Sequence, residues 1–441
     1  MTVQMFCAAT QYAAATVAAA LRSGLFGRRA DHRRILVVSD TSAAPEIGTP
    51  LDLMPGFEAL RPEFDEVRSW NETIRPHHPA GWSPRPQDVP LWEKSLRLAW
   101  RLGDEPVEVA CESIQANPSR AIAAIFANSP VHVYADGLMS YGPTRNRIPL
   151  PMSSRIRRLL HLDLVPGLRP MLLSEYGVEP VAVPGAEFLA VLREVSDAAD
   201  EADGGGLPAG TALLLGQYLS ALELISRDEE DGLHLRMLRG AAALGHRTIT
   251  FKPHPSAPAD STLAIQEAAR ELGVSLDVLR TPVLAETLYE RARPELVVGC
   301  FSTAMMTAAA LYGIPAARVG TDLLLDRITP YQNSNRVPLT VVDALLPALE
   351  GDERAGKPVD LTAADEVDPL VRAVGFCMQA TAYPELQEQT AELLRTLPDA
   401  ELTRYFKRRR LTSLGLPGGR PVRAAALRRH PAVRKVVRKL R

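Results

Sequence analysis

Cysteine is scarce and scattered in this chain of 441 residues: Cys7, Cys111, Cys300 and Cys377 are widely spaced, and no two form a C-x-x-C pair. This argues against a disulfide scaffold or a cysteine-based zinc site and fits a reducing compartment. No apolar run reaches the roughly 18 residues that span a bilayer. The Ala-rich stretch 5–21 is interrupted by Thr10, Gln11 and Tyr12, and no Lys or Arg precedes it. Neither a membrane span nor an export signal is therefore expected, and the expected location is the cytoplasm. No aspartate pair stands at D-x-D spacing. The carboxylate clamp that often holds a divalent metal on a nucleoside diphosphate is thus missing, and neither a metal nor a cofactor is expected. No repeat with a period of roughly 20–50 residues is present.

What is there fits a globular protein: 46% of residues are apolar and 23% charged. The length suits two or three domains. A net charge of −2 conceals a strong asymmetry. Of the 50 Lys and Arg, 14 stand in 404–441 with no acid among them, which leaves 36 basic against 52 acidic residues in the rest, a net −16. Such a tail should seek an anionic surface. The mixture of Val, Ala and Leu with Arg and Lys in 422–440 suits the face of an anionic bilayer, so peripheral contact with the inner membrane is expected. Nucleic acid ranks below the membrane as partner, because Tyr405 and Phe406 are the tail's only aromatics and stacking on single strands needs more. A disordered solubilising tail is the remaining reading.

Apolar runs and turn signals alternate along the chain. Strands are expected at 3–8, 34–39, 107–111 and 131–135, with helices at 11–23, 91–101 and 118–127 and a Pro- and His-rich loop at 76–90. The unalternating RILVVS at 34–39 is what a parallel strand covered on both faces requires. Residues 196–210, with acids, three successive glycines and a proline, read as a linker. A second series follows, with strands at 211–215, 248–251, 295–300 and 316–319 and helices at 231–244, 260–272 and 304–311. Two Rossmann-like doubly wound α/β halves facing across a cleft are the expected architecture, divided as 1–200, 208–385 and a C-terminal helix with basic tail at 386–441.

Three short motifs sit at strand or helix ends. VHVYA runs into Asp136-Gly137, where the glycine allows a tight turn and the carboxylate is placed either to accept a proton or to cap a following helix. TITF runs into Lys252-Pro253-His254-Pro255, a turn stiffened by two prolines around one imidazole. Ser302 and Thr303 open the 304–311 helix, where a cap hydroxyl and free N–H groups bind an anion. Gln217 follows the strand at 211–215 and is placed for donor contact, or is a loop residue without function. Arg145 and Arg147, after the Asp136 loop, are placed to meet an anionic sugar or acceptor, or are simply solvated.

In this order the motifs resemble those of bacterial sialyltransferases and polysialyltransferases: an acid-acid-Gly triplet (here Ala135-Asp136-Gly137), a His-Pro pair (His254-Pro255) and a Ser-Ser/Thr pair (Ser302-Thr303). The KPHP form resembles the capsular polysialyltransferase branch, and Thr10-Gln11 is similar to that group's opening loop. The resemblance spans about 1–320. It implies a GT-B fold and inverting transfer of sialic acid from CMP-sialic acid to a glycan hydroxyl, without an essential metal. It implies Asp136 as general base and His254 as the group that protonates or stabilises the departing CMP phosphate. Ser302 and Thr303 would hold that phosphate, with Lys252, Gly137 and Pro255 on the donor side and Thr10 and Gln11 on the acceptor side, to which the residues' own placement adds Gln217 and Arg145 respectively. Ala135 departs from the family's first acid, which leaves the sugar open to another nonulosonic acid. A donor such as CMP-Kdo or a UDP-sugar is the alternative within the fold. A non-catalytic polyanion-binding or nucleic-acid-binding protein acting through the tail is the alternative outside it.

Overall fold

The computed structural model describes residues 1–135, 137–203, 207–217, 219–254, 262–279, 281–362 and 364–420, with the backbone alone for 200–203. The first half is a seven-stranded sheet: β1 (Thr2–Ala8), β2 (His32–Val38), β3 (Glu66–Ser69), β4 (Val107–Cys111), β5 (Val131–Ala135), β6 (Ile156–Leu162) and β7 (Pro180–Val183), in the order β3-β2-β1-β4-β5-β6-β7. The second half is a five-stranded sheet: β8 (Ala212–Leu215), β9 (Thr248–Lys252), β10 (Ser275–Val278), β11 (Leu296–Gly299) and β12 (Ala316–Arg318), in the order β10-β9-β8-β11-β12. Every ladder is parallel. These are two doubly wound sheets, as expected, and in each the strand order reverses beside its first strand.

The central strands are covered on both faces, which is why their sequences run apolar without alternation; β8 and β11 are buried at every residue. One face of the first sheet packs on the Ala-rich Gln11–Arg22 helix, whose small side chains let it lie close. The other face packs on a second cluster that includes Leu96, Ile122 and Trp70. Four strands escaped the sequence reading: β3, β6, β7 and β10. β3 and β10 are edge strands with no continuous apolar run, and β6 carries Arg157 and Arg158 near its start.

Two expectations are corrected. The linker at 196–210 begins as helix, because the Gly185–Asp203 helix runs through its first half. Phe188, Val191, Leu192, Val195 and Ala199 form that helix's buried face, Ser196 donates to the Thr287 carbonyl at 3.2 Å, and Asp197 is exposed. Nor does the basic tail begin at 404. Asp399–Tyr405 and Arg408–Leu414 are helices bolted to the second half. Asp343, 4% exposed, accepts from Arg404 at 2.5 Å, the Tyr405 hydroxyl at 2.8 Å and the Thr321 hydroxyl at 2.5 Å, and pairs with Arg318 at 2.9 Å. Lys407 pairs with Asp326, and Arg410 donates to the Cys377 carbonyl.

The chain also returns to its first half. Gly375, in the Asp368–Met378 helix, lies against Met171, and the Tyr383 hydroxyl donates to the Met171 carbonyl at 2.9 Å. Among the described residues no helix is long and apolar enough to cross a membrane.

A polar stripe crosses the base of the first sheet. Arg158 donates to His132 Nδ1 at 3.0 Å, so that nitrogen carries no proton. Burial, and then the Arg158 charge, lowers the His132 pKa from 6.5 to about 4. The unfolded chain therefore binds more protons than the folded one between these values, and stability is lost as pH falls from 6.5 towards 4. His132→Asn, whose Oδ1 takes the place of Nδ1 and can still accept from Arg158, should relieve on the order of 3 kcal/mol of that acid loss. Urea unfolding across the same pH window measures it; identical pH profiles for variant and wild type would refute the assignment.

Candidate active site

The C-terminal ends of both sheets supply the loops that carry the motifs. In the first half, β1 leads to Thr10, whose hydroxyl accepts from the Ala13 N–H at 3.0 Å and so caps the Gln11–Arg22 helix. Gln11 is turned inward instead of towards an acceptor. It is 1% exposed, and its amide donates to the Pro55 carbonyl at 2.7 Å. β5 leads to Asp136, which lies outside the described residues, and then to Gly137, with extended backbone. The Gly137 carbonyl accepts from both the backbone and the hydroxyl of Ser140, at 3.2 and 3.0 Å, which fixes the turn behind the motif. Arg145 is exposed, and its carbonyl accepts from the Gln379 side chain, tying this loop to the returning C-terminal segment.

In the second half, β9 ends at Lys252, followed by Pro253 and His254; Pro255 lies outside the described residues. His254 keeps an accessible edge, yet the atoms crowding it lower its pKa below the usual 6.5, with the Lys252 charge adding to the drop and Glu230 opposing it. Burial likewise lowers Lys252, against the pull of Glu286. Glu230 is 5% exposed, and its carboxylate accepts from the Leu219 and Ser220 N–H groups and the Ser220 hydroxyl. It therefore anchors the loop after β8 while facing His254 electrostatically.

β11 leads through Cys300 and Phe301 to Ser302, which caps the Thr303–Tyr312 helix by accepting from Ala304 N–H at 3.3 Å. The helix therefore has its positive end at Ser302 and Thr303. Cys300 is a buried thiol whose pKa is raised by burial, not a nucleophile. Gln217 accepts through its side-chain carbonyl from the N–H groups of Cys300 and Phe301, at 3.2 and 2.7 Å.

The halves meet at this helix. A Cβ added to Gly137 would stand 2.7 Å from Thr303 Oγ1, so the glycine of the first motif lies directly against the threonine of the third. One turn on, Thr307 and Tyr12 share a hydrogen bond of 3.1 Å across the halves. Tyr12, Thr307 and Glu230 were missed by sequence reasoning. A single polar residue inside an Ala-rich or amphipathic helix carries no pattern, although Thr307 stands four residues from Thr303 and so on its face.

The alpha-2,8-polysialyltransferase family model matches residues 4–321. The chain belongs to that family. It is a glycosyltransferase. No curated protein matches it. Among solved structures it is similar to the GT-B domain of a Photobacterium damselae sialyltransferase, at 11% identity over 77% of this chain and 95% of that one, with a TM-score of 0.38. It is also similar to Acinetobacter baumannii MurG, at 13% identity over 90% and 99%, with a TM-score of 0.40. A third similar structure is UDP-GlcNAc 2-epimerase from Methanocaldococcus jannaschii, at 9% identity over 84% and 99%, with a TM-score of 0.42.

The Gly137–Thr303 contact has a direct test. Gly137→Ala must displace Thr303, because an extended backbone accepts alanine and the collision is with a stiff β-branched side chain. A loss of roughly ten- to a hundredfold in kcat/KM for glycosyl transfer is expected, with the fold unchanged by circular dichroism. Combined with Thr303→Ala, the two losses should be non-additive. Full additivity in the four-protein cycle would refute the contact.

Proposed function

We propose that this glycosyltransferase moves sialic acid, or a related nonulosonic acid, from a CMP-activated donor to a glycan hydroxyl with inversion at the anomeric carbon. The observation that carries the reading is the juxtaposition of Gly137 and Thr303 in a member of the polysialyltransferase family, because it sets the base-bearing loop against the helix terminus that would take the phosphate. Asp136 accepts the proton of the attacking hydroxyl. The new bond forms as the sugar–phosphate bond breaks, and the electron pair leaves with CMP. His254 donates a hydrogen bond to the departing phosphate. The Ser302 and Thr303 N–H groups and the Thr303–Tyr312 helix dipole stabilise its charge, with Lys252 behind them. No metal is required for this charge balance.

Asp136→Asn should lower kcat about 10²–10⁴-fold, and His254→Ala about 10²–10³-fold, each with melting temperature retained. CMP should inhibit strongly and UDP weakly. Turnover at the wild-type rate in either variant removes that residue from the scheme, and stronger inhibition by UDP removes the CMP donor.

We also propose that residues 421–441 hold the enzyme on an anionic membrane face. They contain eight Lys and Arg and no acid, and each basic residue near such a surface contributes about 1 kcal/mol. Truncation after Arg420 should abolish sedimentation with phosphatidylserine vesicles and leave the melting temperature unchanged. Truncation before Arg404 should lower it, since Asp343 then loses two partners in the interior. Equal vesicle binding by the 1–420 protein would refute the membrane role.

A further inference from the structure

In the second sheet the strand order reverses between β8 and β11. Ligands of open parallel sheets settle beyond the strand ends at such a point. Gln217 stands two residues past β8, and the N–H groups it accepts from, those of Cys300 and Phe301, belong to the loop leaving β11. One side chain thus spans the crevice at the reversal.

Both ends of this bridge are fixed. Behind it, the Gly216 N–H donates to the Lys252 carbonyl at 2.9 Å. A Cβ at Gly216 would stand 3.0 Å from Phe251 Cζ and 3.3 Å from Pro253 Cα, so the backbone carrying Gln217 has no room to retreat. Ahead of it, Cys300 and Phe301 are 1% and 8% exposed. Further along the loop, the Ala304 N–H is taken by the Ser302 hydroxyl and the Met305 N–H by the Ser302 carbonyl. The N–H groups of Ser302 and Thr303 have no acceptor among the described hydrogen bonds. Among the described residues the loop leaving β11 therefore offers an anion two backbone donors beside the Gln217 amide, where the unbridged loop would offer four.

We propose that Gln217 is a specificity-determining residue that fits the donor site to one phosphate. By occupying the Cys300 and Phe301 N–H groups, its carbonyl removes the donors a second phosphate would need. This rests on the reading that the crevice holds the donor nucleotide, and it adds a reason why that donor is a nucleoside monophosphate sugar and not a diphosphate sugar.

The test is a set of dissociation constants by titration calorimetry for CMP, CDP, UMP and UDP, without divalent metal, on the full chain and on Gln217→Ala, Gln217→Met and Gln217→Glu. Wild type should bind CMP about tenfold more tightly than CDP, and UMP more tightly than UDP. In Gln217→Ala and Gln217→Met the monophosphate preference should fall at least about fivefold, mainly because the diphosphates gain. The methionine keeps the bulk and removes the acceptor, so it separates hydrogen bonding from space and serves where the alanine variant does not fold. Gln217→Glu keeps both acceptor bonds and should weaken all four nucleotides while preserving their order. A wild-type preference for diphosphates, or an unchanged preference in the folded methionine or alanine variant, overturns the proposal. Tighter binding of UMP than CMP would sink the cytidine reading and leave the phosphate comparison within each base intact. Absence of binding by all four nucleotides overturns both.

Discussion

The close approach of Gly137 to Thr303 is the constraint on which the site is built. Parallel sheets deliver their loops to one edge, so each half has a single edge fit for ligands. Setting those two edges face to face requires a point where backbone meets side chain without a gap, and only a residue lacking Cβ leaves room for it. The Tyr12–Thr307 hydrogen bond adds a second point one helical turn away. Elsewhere the returning Asp368–Met378 helix and Tyr383 fasten the second half to Met171 of the first. The spacing between the motifs is thus set by contacts on separate segments and does not depend on the 204–210 connection.

The second half is held together by charges that are expensive to bury and are therefore compensated. Asp343 gathers Arg318, Thr321, Arg404 and Tyr405, drawing the strand end of β12, the following helix and the C-terminal helices to one carboxylate. Arg336, fully buried, donates to the carbonyls of Tyr331 and Ile328 with its guanidinium over the Tyr331 ring. Glu230 holds the loop after β8 by its N–H groups. Losing one partner of such a buried charge leaves the other unpaired, which costs more than the pair itself contributes. These groups give little freedom to the loops that Gln217 bridges.

The strands legible in the sequence were those whose physics is one-dimensional. β2, β8, β9 and β11 are short apolar runs bounded by turn residues, and burial on both faces produces that run directly. β3 and β10 depend on a neighbour's edge rather than on their own apolarity, so nothing local announced them. Residues 196–210 read as a linker because composition does not show which face of a helix is wet; Phe188, Val191, Leu192, Val195 and Ala199 supply the dry face of the helix that enters it. The same holds for the C-terminal basic residues, where Arg404, Lys407 and Arg410 are structural partners rather than tail. At the site, the order of motifs was legible and the bridging by Gln217 was not. A glutamine between two loops some 80 residues apart has no local signature.

The lowered pKa of His254 narrows what the proposed reaction asks of it. At neutral pH a histidine held below 6.5 is mostly uncharged, so it brings one N–H and no spare proton. A departing phosphate monoester has its second pKa near about 6 and is stable as a dianion at that pH. The leaving group therefore needs donors arranged around its developing charge more than it needs an acid. The helix terminus at Ser302 and Thr303 supplies two, and a neutral imidazole supplies a third without the desolvation cost of a buried cation. Of the two proposed groups, Asp136 alone must change its protonation state, so the proposed scheme would put the proton chemistry on the first half and the charge chemistry on the second.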